Sequence, residues 1–541
     1  MKSRFFILLT LVLVGVFFFI KAFKKKPLFD NYLKGVETPN ALNKTSSATN
    51  SVIEFKDDFE FIDDHFGEYS LFEKLELNEL DDILLHARNP NDFDRSIDHL
   101  KINGFTIIDQ IDRLGSYRVK VNDIAKFSKF LTKQENDFEL HKNVTLRTPT
   151  YPSTRLLEVE KPFSGTSMDW LGVKTDRRNA GSGVKVAILD TGVDTNHESL
   201  AGMKITEISL IKENGMYENL GHGTSIASVI AGQREDFLGL APSSEILSIR
   251  VLNANGEGDS FTVAKGIIAA VDQGADLINL SLGGMRASVV MDNAIRYAKS
   301  NDVLLVSAVG NDGVQRVSYP ARHNDVVAVA SVDAKSRVST FSNFGSEVDI
   351  SAPGVGVITA WEKNQFVHFS GTSIATAFVT GALASEISRS SSENKQLILN
   401  ALYKNADETE KPGRDIWAGR GVINMRRLEQ RNIPGIIDAA VVGYYFDPEN
   451  IKSSGTTPFF ITIQNQGTGW IQSTNLKVSY KGLEKNFRIG NLNAGESRSE
   501  TLYFDTEGTD KKLHVTSELS LPNQMDQFPD NNQRKSVLII P

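Results

Sequence analysis

Apolar positions fall into distinct regimes along the chain. The first is an apolar run from Phe5 to Ile20, interrupted only by Thr10 and Gly15, with Lys2 and Arg4 before it and Lys21, Lys24, Lys25 and Lys26 after it. A basic start and an apolar stretch of this length predict a signal peptide or membrane anchor over residues 1–26. The run is shorter than the roughly 20 residues that span a bilayer. No small-x-small cleavage site follows it, which favours an uncleaved anchor. Residues 27–95 hold no sustained period. Ser, Thr and Asn crowd positions 43–51, and acids interleave with Phe55, Phe59, Phe61, Phe66 and Phe72 up to Asp82. This predicts an acidic, weakly ordered linker.

From Ser96 the periods become structural. A helix over 96–103, strands over 105–111 and 117–121 around a turn at Gly115, an amphipathic helix over 123–133 and a strand at 144–146 predict a small α+β unit, assigned residues 96–155. From Gly181, β-branched runs at 184–190, 246–252, 277–282, 303–308 and 326–332 alternate with amphipathic helices. That alternation predicts an α/β domain with a parallel sheet over 156–432. Beyond Pro434, short alternating strands at 439–445, 459–464, 476–480, 499–504, 514–519 and 536–540 predict an all-β sandwich over 433–541, with Trp470 and Tyr480 in its core.

Composition narrows the chemistry. A chain of 541 residues, 40% hydrophobic and 23% charged, is long enough for about three domains. The net charge of −8 excludes a generally basic nucleic-acid binder. Cysteine is absent, so disulfides, thiolate metal sites and cysteine nucleophiles are excluded. Any nucleophile must come from another side chain or a metal-bound water.

Three islands in the α/β domain carry candidate chemistry. In Val186–Gly192 an apolar strand ends in Asp190, followed by Thr191 and Gly192. Alone, this is a strand-end acid or half of an aspartic protease site, which needs a second carboxylate; no second Asp-Thr-Gly occurs. In Gly221–Ala227, His222 stands between glycines at the start of a helix over 224–232. Alone it reads as an ordinary histidine. In Phe369–Ala377, Ser373 opens a small-residue helix running to about 388. It reads as a helix cap or as a nucleophile whose own N–H faces developing negative charge. Ala375 breaks the G-x-S-x-G pattern of a lipase elbow.

Taken together, and in the order Asp190, His222, Ser373, the islands and their flanks closely resemble the subtilisin-like serine proteases, over about residues 169–428. The resemblance implies that Ser373 is the nucleophile, His222 its base and Asp190 the residue that orients the imidazole. It implies that Asn311, in Ser307–Gly313, donates to an oxyanion. Gly256, Glu257 and Gly258 on one side, and Ser281, Leu282 and Gly283 on the other, match segments that pair with an extended substrate. Ser318 matches the base of the primary specificity pocket and implies a roomy, mainly apolar one. No cofactor is required and no metal ligand is assigned. The short loop 232–240, and Ser199 where an acid often stands, argue against the family's tight calcium site and leave calcium open elsewhere. Ala377 and Phe378 depart from the Pro and His common in the family.

The resemblance also implies partners. Substrates are proteins and peptides. The 96–155 unit resembles a propeptide that acts as an intramolecular inhibitor and is cut off between about Thr148 and Ser164. Asn465–Gly467, Leu492–Ser497 and Pro529–Asn532 resemble a CARDB-like β-sandwich module, which implies binding to a surface or a protein partner. No nucleic-acid partner is expected. The N-terminal segment would meet a membrane, and the enzyme would be secreted or extracytoplasmic, membrane-anchored before maturation. Two alternatives accompany this reading: a non-catalytic adhesion protein on a protease scaffold, and a processing protease of narrow specificity.

Overall fold

Alternate residues of the strand Lys185–Asp190 are buried on opposite sides of the central sheet. Val186 and Ile188 pack with the helices Gly221–Ala231 and Thr372–Arg389, while Ala187 and Leu189 pack with Ser260–Asp272 and Val289–Ser300. Both faces are therefore apolar, which is why these strands read as nearly continuous hydrophobic runs. The computed structural model describes residues 82–88, 93–133, 138–152, 157, 160–173, 176–211, 219–390, 393–446, 456–505 and 512–539. The expected signal or anchor at 1–26 lies outside them. No helix among the described residues is long and apolar enough to cross a membrane.

Seven parallel strands form the central sheet, in the order Ile350–Pro353, Val326–Val332, Leu304–Ala308, Leu277–Leu280, Lys185–Asp190, Glu245–Arg250, Ile205–Ser209. Two of them escape the sequence pattern, and both are at the edges. Ile205–Ser209 is polar at Thr206, Glu207 and Ser209, and these three residues are exposed. Ile350–Pro353 contains Ser and Pro and lacks a β-branched run. The chain leaves Lys185–Asp190 for one edge, returns beside it as Glu245–Arg250, and then builds outward on the other side. The direction of winding reverses at this strand, so a crevice opens at the carboxyl ends of the central strands. Asp190 is the last residue of that strand.

The unit before the α/β domain is a four-stranded antiparallel sheet in the order Thr106–Ile111, Ser116–Lys120, Asp82–Ala87, Phe138–Lys142. Helices Phe93–Ile102 and Ile124–Lys133 accompany it, with Leu100, Phe127 and Phe130 in its core. Asp82–Ala87 corrects the expected extent of the linker. This central strand lies inside 27–95, so the ordered unit begins before residue 96. Ile83 and Leu85 enter the unit's own core, whereas Leu84 joins the cluster under the helices of the α/β domain. A strand buried on both sides shows no alternation, and the acids before it mask the signal.

The C-terminal domain has a three-stranded sheet, Ala439–Phe446, Thr456–Asn465 and Ser497–Asp505, and a four-stranded one in the order Leu483–Leu492, Ile471–Tyr480, Lys512–Ser520, Gln533–Ile539. All pairings are antiparallel, and one shared core fills the space between the sheets. Leu483–Leu492 is missing from the sequence reading because its first half is exposed. Tyr480 is buried as expected, but Trp470 is 52% exposed and is no core residue. Asn465 has a structural job: its Nδ2 donates to the carbonyls of Gly469 and Leu492, and its Oδ1 accepts from Gly467 N–H.

Candidate active site

Asp190 is fully buried at the end of its strand, and both its oxygens lie within hydrogen-bond reach of His222 Nδ1, at 2.8 and 2.9 Å. Thr191 N–H donates to the same carboxylate at 2.7 Å. The flanking glycine explains this approach. A Cβ on Gly223 would lie 2.1 Å from the Gly192 carbonyl oxygen, so only glycine lets the helix start so close to the strand-end turn. His222 Nε2 is buried and makes no hydrogen bond. Ser373 is 1% exposed, in the first turn of its helix, where N–H groups lack intrahelical acceptors. No hydrogen bond joins His222 to Ser373.

Asn311 joins these residues from a third element. Its Oδ1 accepts from Thr372 N–H at 2.9 Å and from Thr372 Oγ1 at 2.8 Å, which turns Nδ2 the other way. Nδ2 donates to the carbonyl of Thr150 at 3.0 Å. Thr372 lies in the serine island, next to Ser373, where spacing alone gives it no role.

Thr150 belongs to a segment that lies across the cleft. Thr145–Arg147 pairs antiparallel with Glu257–Asp259, in the register Thr145 to Asp259, Leu146 to Gly258, Arg147 to Glu257. Thr148 N–H donates to Gly256 O at 2.9 Å. On the other side Arg147 and Gly283 exchange two backbone hydrogen bonds, of 3.0 and 2.8 Å. The two expected substrate-binding segments thus grip one extended strand between them. Leu146 is fully buried in a cluster that includes Leu280 and Leu282. Tyr151 follows, its ring edge-on to Phe369 at 5.9 Å, and Phe369 in turn lies 5.5 Å from the His222 ring.

Side-chain directions add detail to these segments. Ser281 does not line the pocket with its side chain; Oγ is fully buried, accepts from Asn279 Nδ2 and donates to the Ser373 carbonyl. The glycines that make room for the seated strand are Gly256, where a Cβ would meet Thr148 Oγ1 at 2.5 Å, and Gly284, where it would meet Thr145 O at 2.9 Å. At Gly258 and Gly283 the nearest atoms belong to the α/β domain itself. Ser318 packs against both Gly283 and Gly310.

The preceding unit is fastened around the cleft as well. Asn143 Oδ1 accepts from Phe261 N–H and Ser260 Oγ, and Ser260 N–H donates to Val144 O, so this unit caps the helix Ser260–Asp272. Arg118 pairs with Asp259 at 3.3 Å and Lys265 with Asp109 at 2.5 Å.

The residues around the family's calcium loop do not fit a cation. Ser199 N–H and Oγ both bond His197 Nδ1, at 3.1 and 2.8 Å. The nearby acids Glu198 and Asp236 both bind the Arg234 guanidinium. Among the described residues no group of three or more His, Asp or Glu side chains is placed to hold a metal.

A buried acid on a histidine, a serine at a helix start and a side-chain amide on a carbonyl thus stand at the switch point of a parallel sheet. The Subtilase family model matches residues 181–421. Thermitase of Thermoactinomyces vulgaris is 38% identical over 257 residues, 46% of this chain and 90% of thermitase. The thermostable alkaline protease of Halalkalibacterium halodurans is 37% identical over 252 residues, 46% of this chain and 68% of that protein. The epidermin leader peptide processing serine protease of Staphylococcus aureus shares the fold, with a TM-score of 0.55 at 22% identity over 65% of this chain and 99% of that one. The chain belongs to the subtilase family of serine proteases.

Proposed function

We propose that the chain is a serine endopeptidase made as a zymogen, with Asp190, His222, Ser373 and Asn311 as its catalytic residues. Ser373 Oγ attacks the scissile carbonyl carbon while His222 Nε2 takes its proton. The new C–O bond leaves an oxyanion held by Asn311 Nδ2 and Ser373 N–H. Collapse breaks the C–N bond, and His222 returns the proton to the leaving amine. Water then hydrolyses the acyl-enzyme by the same route. Asp190 keeps Nδ1 protonated and aimed throughout.

The observation that carries this reading is the Thr145–Tyr151 segment in the cleft, with the Thr150 carbonyl on Asn311 Nδ2. In this reading the preceding unit is an inhibitory prosegment, and the bond it presents for cleavage is Thr150–Tyr151. Recognition through main-chain hydrogen bonds supports broad preference for extended or unfolded peptide segments. The N-terminal 26 residues would hold the zymogen at a membrane during export, and the cut would release the enzyme. The C-terminal sandwich would bind a surface or protein partner outside the cell.

A serine-directed fluorophosphonate probe tests the assignment. The full chain is expected to label and Ser373→Ala not to label; labelling that survives the substitution refutes the nucleophile. N-terminal sequencing of the active form is expected to begin at Tyr151. A start at Thr150 would mean that the carbonyl on Asn311 is not the one attacked.

A further inference from the structure

Asn311 reaches the cleft from the loop Val309–Val314, which has no regular secondary structure. A donor at an oxyanion site acts only if it is held in place before charge develops. What holds this loop is a neighbouring segment, and above all the side chain of Asn343. Asn343 Oδ1 accepts from Asp312 N–H at 2.9 Å and from Val314 N–H at 3.3 Å. Its Nδ2 donates to Val309 O and to Asp312 Oδ2, both at 3.2 Å. Its backbone N–H donates to Gly310 O at 3.0 Å. One side chain therefore bonds the residues on both sides of Asn311. An amide has two donor hydrogens and two acceptor lone pairs, and here all four are used. Asn343 is 1% exposed, and none of these bonds reaches the seated segment.

The packing leaves no slack. Gly310 has φ +108°, and a Cβ there would lie 2.3 Å from Asn343 Nδ2 and 2.6 Å from Ser318 Oγ. Gly310 is thus pressed between the Asn343 amide and the residue at the base of the specificity pocket. Gly313, on the far side of Asn311, donates its N–H to Phe341 O. The loop is clamped at both ends by the segment Phe341–Asn343.

We propose that Asn343 is a positioning residue for the oxyanion donor: it fixes the Val309–Val314 loop so that Asn311 Nδ2 stands where the negative charge develops. The proposal rests on the assignment of Asn311 above. No residue of similar size replaces Asn343. Aspartate keeps the two acceptor bonds but sets a carboxylate against Val309 O and the Asp312 carboxylate. Alanine removes all four side-chain bonds.

The test is a double-mutant cycle on the full, self-processed chain, with folded active sites counted by fluorophosphonate labelling run to completion. Asn343→Ala is expected to lower kcat by about 10- to 100-fold with KM changed less than about 3-fold, the pattern of a contact felt in the transition state. Asn343→Asp, milder in shape, is expected to lower kcat in the same way. In an Asn311→Ala background, Asn343→Ala is expected to cost less than about 2-fold more, because its effect passes through Asn311. Losses that multiply in the double variant overturn the proposal. So does unchanged kcat in both Asn343 variants, or failure of both to fold, which would make the residue one of general stability. If the unsubstituted chain labels but Asn311→Ala costs nothing, the assignment of Asn311 fails first. If the unsubstituted chain does not label at all, the protease mechanism itself fails.

Discussion

Asp190, His222, Ser373 and Asn311 were each ambiguous alone and became interpretable as an ordered set with their flanking residues. Their roles predict distinct losses. Asp190→Asn preserves the buried shape but favours the wrong imidazole tautomer; kcat is expected to fall by about 10⁴-fold, measured on a peptide amide substrate. Asn311→Ala removes one oxyanion donor and is expected to cost about 10²- to 10³-fold in kcat. A loss in KM alone would show that Asn311 only binds substrate. For other residues at the site, the direction of the side chain carried no sequence signal. Thr372 aims the Asn311 amide, Phe369 lies against both His222 and Tyr151, and Ser281 turns inward to the Ser373 carbonyl. Each of these functions is a direction in space, which spacing along the chain does not encode.

Elements were legible where burial leaves a period. The five interior and near-interior strands of the peptidase sheet were anticipated, as were the helices that carry His222 and Ser373. Edge strands were missed for want of an apolar run, and Asp82–Ala87 for want of alternation. The most consequential element is also short. Thr145–Arg147 was anticipated as a strand, but its partner was not: it completes the cleft rather than the sheet of its own unit. Leu146, at its centre, is fully buried against the peptidase domain. Replacing it with alanine removes apolar contacts worth about 2–5 kcal/mol at a buried site. If the preceding unit is the inhibitory prosegment proposed above, Leu146→Ala is expected to weaken its inhibition by at least about 30-fold. The measurement is the concentration of prosegment that halves the activity of mature enzyme. Unchanged inhibition would mean that the ion pairs and helix cap hold the unit by themselves.

At the scale of the whole molecule, the sandwich is built onto the peptidase domain through charged and polar groups. Arg427 is buried and bonds Ala406 O, Asp407 and the Gln466 carbonyl, and Arg426 pairs with Asp438 at 2.9 Å. Glu410 sits at this boundary, where a Cβ on Gly443 would lie 3.5 Å from its carbonyl oxygen. Burial pushes its carboxyl up from 4.5 to about 7, against the opposing effect of the Val338 N–H. Burial raises Glu408 and Asp415 as well. Between the two values the folded state holds a proton that the unfolded state has released. Glu410 thus favours folding most below its ordinary value, and that contribution is lost as pH rises through about 7. In a Ser373→Ala background, which prevents self-digestion, the urea midpoint is expected to fall between pH 5 and 8, and less steeply in Glu410→Gln. Equal slopes would remove Glu410 from the account.

The sequence by itself determined the order of the domains, the α/β character of the middle one, the family and the chemical types at the site. Those follow from local periodicity and from short motifs whose residues must be of one kind. Tertiary structure alone decided which carbonyl meets the Asn311 amide, which glycines admit the seated strand, and which side chain clamps the loop behind it. These depend on distant groups approaching within hydrogen-bond distance, as do Asn343 with Asp312, 31 residues apart, and Asn311 with Thr150, 161 residues apart. Such contacts arise only once the sheet has reversed direction at Asp190 and its flanking units have closed on the crevice.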